Sequence, residues 1–174
     1  MKIKLPRVMI LATVLTVASI TTASAHIEFE PNVVLANAHP SVSLLVPHDC
    51  SAKSKTTEVK LQLPSNVDPM FVMHVNVLQN GKLVKGWNGT VVKSGGKNYY
   101  DVKGPAIKAG PSGSKNNLTI NFMLSTPKAK GKSLTFPTVQ YCTNGEKVNW
   151  LQPRPIDGSD PAESATPIPT LKLK

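Results

Sequence analysis

Aromatic residues make up only 5% of this 174-residue chain: two tryptophans, three tyrosines and four phenylalanines. Proteins that stack bases or grip polysaccharide on a flat face lean on aromatic clusters, and the sequence shows no such cluster. Arginine is scarcer still, occurring after residue 25 only at Arg154. The formal net charge of +10 therefore comes from scattered lysines such as Lys53, Lys60, Lys93 and Lys128. That is not the clustered arginine of a nucleic-acid reader, and solubility or weak attraction to an anionic cell surface accounts for it. The two cysteines, Cys50 and Cys142, lie too far apart for a C-x-x-C redox or zinc motif. After residue 25 no apolar run approaches the roughly 20 residues that a membrane-spanning helix needs. No Ser-His-Asp or Cys-His set, paired catalytic carboxylates or glycine-rich phosphate loop is readable, so the sequence predicts a protein that is not an enzyme.

What is present begins with an export leader. Lys2, Lys4 and Arg7 precede an apolar stretch from Val8 to Ile20, and small residues lead to Ala23-Ser24-Ala25, an A-x-A cleavage site. The expected division is a signal peptide over 1–25, a single domain over 26–152, and a Pro-rich C-terminal segment over 153–174. Export predicts a periplasmic or secreted protein, and in such a compartment Cys50 and Cys142 default to a structural disulfide.

The rest of the chain reads as β structure. Apolar and polar residues alternate in short runs bounded by Gly, Pro, Asn and Ser, the pattern of half-buried antiparallel strands. Strands are predicted over 27–30, 41–46, 57–63, 70–78, 82–92, 97–103, 117–124, 133–141 and 147–151. Asn80-Gly81 and Asn144-Gly145 carry the strongest short hairpin signal, and Ser94-Gly95-Gly96-Lys97 is another turn. The C-terminal segment is expected to run over the surface, with 167–173 as an edge strand. Strand number and spacing point to an all-β, immunoglobulin-like antiparallel sandwich.

Cleavage after Ala25 would make His26 the first residue of the mature chain. Its α-amine and its imidazole Nδ1 can then close a chelate ring on one metal ion. An α-amine ordinarily titrates at about 7.7–8.0, so near neutral pH a metal displaces its proton at little cost. Nitrogen donors of this kind suit late divalent metals, with Cu(II) highest in the affinity order. Period two puts His26, Glu28 and Glu30 on one face of the first strand. If strands 26–30 and 41–48 pair so that facing residue numbers sum to about 74, His26 sits opposite His48, the third nitrogen of a histidine brace. Glu28 could add an oxygen or hydrogen-bond His26. Met70, Met73 and His74 also invite a Cu(I) reading. On one continuous strand, however, the two methionines point apart, and core packing is the expectation for them.

Several segments resemble the YcnI-like family of exported bacterial copper-binding domains. They are His26-Ile27 with Pro31, Val46-Pro47-His48-Asp49-Cys50, Thr56-Thr57-Glu58-Val59, Gly86-Trp87, Phe136 to Cys142, and Trp150. The resemblance spans nearly all of 26–173 and implies a copper site on the N-terminal histidine, with Trp150 near the metal and an immunoglobulin-like sandwich beneath. The histidine of Val-Pro-His favours a two-histidine form of the site. Asp49 stands where the family has glycine before the first cysteine, and Lys85-Gly86-Trp87 replaces Pro-Gly-Trp.

The expected function is copper buffering, or delivery to a membrane copper transporter, another copper chaperone or an oxidase under assembly. Two other classes stand beside it. A histidine brace also serves copper monooxygenases that cleave polysaccharide, for which Tyr99-Tyr100 is the one supporting feature. A metal-free immunoglobulin-like adhesion module would bind no stoichiometric copper.

Overall fold

Alternating burial along the strands stacks two five-stranded antiparallel sheets face to face. The computed structural model describes residues 26–109, 118–155 and 165–174. The leader with its Ala23-Ser24-Ala25 site, Asn117, and residues 156–164 of the C-terminal segment lie outside them. The first sheet runs β1 (Glu28–Glu30), β3 (Ser41–Val46), β9 (Leu118–Met123), β5 (Met73–Gln79) and β6 (Lys82–Leu83). The second runs β12 (Lys147–Trp150), β11 (Thr138–Cys142), β4 (Thr56–Gln62), β8 (Lys97–Ile107) and β7 (Asn88–Ser94). A small third sheet orders β10 (Ser133–Thr135), β13 (Thr170–Leu173) and β2 (Val33–Val34). The immunoglobulin-like sandwich expected from the sequence is present.

Between the large sheets, Val42, Leu44 and Val46 of β3 and Leu118, Ile120 and Phe122 of β9 meet Val59 and Leu61 of β4 and Tyr100 and Val102 of β8, all buried. The Tyr100 and Phe122 rings, one from each sheet, lie 4.8 Å apart. The three glycine turns form as read: Asn80 and Gly81 take φ of 51° and 73°, and Gly95 and Gly96 take 55° and 76°. These left-handed pairs fit the twist of a tight hairpin. The Asn144-Gly145 turn joins β11 to β12, with Tyr141 paired to Lys147.

Four stretches depart from the sequence reading. The predicted strand over 70–78 starts late, because Asp68 caps a short 3-10 turn at Pro69–Phe71 through Met70 N–H and the strand proper begins at Met73. The run over 82–92 breaks between β6 and β7, where Gly86 takes φ of 80°. The run over 133–141 breaks at Phe136-Pro137, since proline has no N–H to give the ladder. The C-terminal strand is the centre of the small sheet rather than an edge: β13 pairs with β10 on one side and β2 on the other. Leu171 and Leu173 are buried, so this segment completes the core instead of lying over it.

The candidate metal centre

β1 and β12 are edge strands of opposite sheets, and one corner of the sandwich joins them. Arg154, just beyond β12, donates to Glu28 of β1 at 3.3 Å. The chain also crosses between the sheets here, from β3 through His48, Asp49 and Cys50 to β4. Cys50 and Cys142 form the disulfide expected of them, fixing the crossing to the end of β11.

Asp49 anchors the crossing from inside. It is 5% exposed, and its Oδ1 accepts from the backbone N–H of Thr56 at 3.0 Å, the Thr56 hydroxyl at 2.9 Å and the Ala109 N–H at 3.1 Å. Gln140 Nε2 donates both to the Thr56 hydroxyl and to the His48 carbonyl, each at 2.8 Å. A buried carboxylate without donors would be costly, and this one gathers three. The backbone of His48 is thus held by a strand of the opposite sheet.

The His48 ring follows from that anchor. Its Nδ1 lies 2.7 Å from the Asp49 carbonyl oxygen. A carbonyl can only accept, so Nδ1 donates, and in the neutral ring Nε2 keeps the lone pair that a metal would take. The ring is half-buried and sits 5.5 Å from the Trp150 ring, centroid to centroid. Trp150 is fully buried, and its indole N–H has no hydrogen-bond partner among the described residues.

The structure brings His48 and Trp150 together, and it places Glu28 with Arg154. His26 is buried immediately before β1. It does not face His48 across a ladder as the sequence reading supposed. β1 pairs with β3 as Glu28 with Leu45, Phe29 with Leu44 and Glu30 with Ser43, one residue away from the expected register. Parity explains the correction: Phe29 and Leu44 both point into the core, and the expected register would have set Phe29 against the outward Leu45. Both histidines lie where the ladder has ended, in irregular chain at the same end of the β1–β3 pair. Among the described residues no group of three or more His, Cys, Asp or Glu side chains could hold a metal. A brace of two histidines and an amine draws on only two such side chains.

Sequence reasoning missed the supports. Arg154 as the partner of Glu28 was signalled only by its being the lone arginine after residue 25. Thr56 and Gln140 were signalled by being polar at inward strand positions. Asp49, which stands where the family has glycine, is the buried hub.

Residues 26–173 match a family model described as a domain of unknown function, DUF1775. The chain belongs to that family. The YcnI-like proteins contain the same domain. The match begins at His26. Among solved structures, an uncharacterized protein from Nocardia farcinica with an immunoglobulin-like fold is 23% identical. That alignment covers 86% of this chain and 99% of the other at a TM-score of 0.61, which shows a shared fold. The Actinomyces fimbrial adhesin FimA is 15% identical over 84% of this chain and 55% of its own, with a TM-score of 0.44. The Corynebacterium diphtheriae major pilin SpaA is 12% identical over 79% and 33%, with a TM-score of 0.41. Likeness at that level decides nothing about this chain. No curated protein matches it.

Proposed function

We propose that this member of the family is an exported copper-binding protein that buffers Cu(II) or passes it to a membrane transporter or another copper chaperone. The amine and imidazole of His26 would hold the ion once the leader is removed, with His48 Nε2 as the third nitrogen. Nitrogen donors of this kind favour Cu(II) over the other first-row divalent ions. The observation that carries the reading is the His48 ring. The Asp49 carbonyl leaves its Nε2 available for coordination, and its ring rests against buried Trp150. Trp150 would close the inner side of the site to water. Glu28 is the carboxylate of the proposal. Its Oε1 pairs with Arg154 and holds the N-terminal strand to the opposite sheet, so Oε2 is the oxygen it would offer a metal. The family match that starts at His26 agrees with a domain whose first residue is the chelating histidine.

The polysaccharide monooxygenase finds less support. Tyr99 points outward from β8 beneath the Lys60 ammonium, while Tyr100 is fully buried and shares a hydrogen bond with His74. The adjacent tyrosines therefore lie on opposite faces and make no substrate platform.

The test is a Cu(II) titration of the secreted, mass-verified protein, followed by electron paramagnetic resonance. A single site with nitrogen hyperfine structure that collapses when one residue precedes His26 is the expected result. His48→Ala should remove one nitrogen from the pattern, and Glu28→Gln should weaken binding if its oxygen ligates. Tight binding indifferent to the added residue would overturn the N-terminal chelate. Absence of tight copper binding would leave an immunoglobulin-like module.

A further inference from the structure

All three methionines that follow residue 25 avoid the core. Met70 is 85% exposed and Met73 50% exposed, and Met123 is half-buried on the outer face of the first sheet. Core packing was the expectation for Met70 and Met73, and the structure corrects it. Met70 lies in the 3-10 turn and not on the strand, so the opposite-face argument does not apply to it. Met73 opens β5 on the side away from the core.

Met73 and Met123 are direct partners in the β5–β9 ladder. Ser41 of β3 faces Met123 from the other side, so these three residues form one outward row. Directly opposed residues in an antiparallel pair hold their Cβ atoms about 4.5–5.5 Å apart, within reach of two flexible thioethers. Side chains do meet across this face: Asn121 Nδ2 donates to Asn76 Oδ1 at 2.7 Å, and Ser43 Oγ donates to Asn121 Oδ1 at 2.6 Å. Other soft or borderline donors lie within three residues of this row in the sequence. Met70 is three residues before Met73, and the ring of the exposed His39, two residues before Ser41, lies 5.4 Å from that of Phe71, tilted by 49°. His74 is not among them, because it turns inward to Tyr100.

We propose that Met73 and Met123 form a thioether site for a soft monovalent cation of the Cu(I) and Ag(I) class. Thioether sulfur selects such ions over Zn(II) and other harder divalent metals. Met73, half exposed, contributes little packing and is open to oxidation, so hydrophobic burial does not account for its position. The site stands on the outer face of the first sheet and requires nothing of His26.

The experiment uses the secreted protein labelled with carbon-13 at its methionine methyl groups. Ag(I) is added in air, and Cu(I) under reductant without oxygen. The Met73 and Met123 methyl signals should move together and saturate, while Zn(II) leaves them in place. The Met73→Leu, Met123→Leu double variant should lose at least about tenfold in Ag(I) affinity, the loss usual when a metal site forfeits a supporting group. Methyl signals that ignore both ions would overturn the proposal, as would a double variant that binds Ag(I) like its parent. A residue added before His26 should leave the methyl response intact. If that residue abolished it, the methionines would not form a separate site.

Discussion

Two regions of the sandwich, the His48 crossing and the Met73–Met123 row, are built in opposite ways. At the His48 corner a disulfide, a buried carboxylate with three donors and a glutamine from the facing sheet fix one short crossing. At the Met73 row the chain enters β5 through a single 3-10 turn, and the two thioethers stand on the outer face of the first sheet, Met73 half exposed. An imidazole offers one directed lone pair and benefits from a fixed ring. A thioether is flexible and adaptable, and a strand pair alone can bring two of them together. The comparison teaches that preorganisation is spent where donor geometry is demanding.

Removing the fastenings should break that contrast first. The Cys50→Ser, Cys142→Ser double variant opens a loop spanning a separation of 92 residues. It should cost up to about 4–5 kcal/mol on the chain-entropy account, read as a loss in denaturant unfolding. An unchanged midpoint would mean that the crossing is held without the disulfide. Asp49→Ala strands the Thr56 and Ala109 donors and should cost about 3 kcal/mol. Met73→Gln, on the outer row, should stay within about 0.5 kcal/mol of the parent. Similar losses for those two would erase the difference between the regions.

A position outside both regions calibrates the scale. Burial and the neighbouring Asp101 carboxylate raise the Glu58 pKa above its ordinary value of 4.5. The folded state thus favours protonated Glu58. Its contribution is fully present below the unfolded pKa and is lost as the pH rises through the folded one. Glu58→Gln should therefore stabilise the protein near neutral pH, by about 0.5 kcal/mol after solvent screening, and give no gain near pH 3. Unfolding midpoints at the two pH values decide it, and an equal effect at both would remove the electrostatic cause.

Strand positions were legible wherever one face is buried. The run over 41–46 reads directly as β3, and Leu118, Ile120 and Phe122 form the inward row they promised. The disulfide followed from compartment chemistry. What escaped was set by non-local pairing. Val33 and Val34 are too short a run to read as a strand until β13 arrives from the far end of the chain. The register of β1 on β3 follows from the inward parity of Phe29 and Leu44. The Asp68-Pro69 cap was likewise present in the sequence, although the apolar run after it reads as strand. The donors around Asp49 come from three separate segments, Thr56, Ala109 and Gln140 through Thr56, and no local pattern announces such a convergence.

The ring contact between His48 and Trp150 has an optical consequence. The protein has two tryptophans, both buried, and they occupy different settings. The Trp87 indole N–H is tied to the Pro105 carbonyl at 3.0 Å, whereas Trp150 touches an imidazole. Whatever alters His48, be it an ion, a proton or a passing partner, changes the surroundings of one emitter and spares the other. The molecule carries its own fluorescent gauge with an internal reference, and no dye is needed to watch the corner at work.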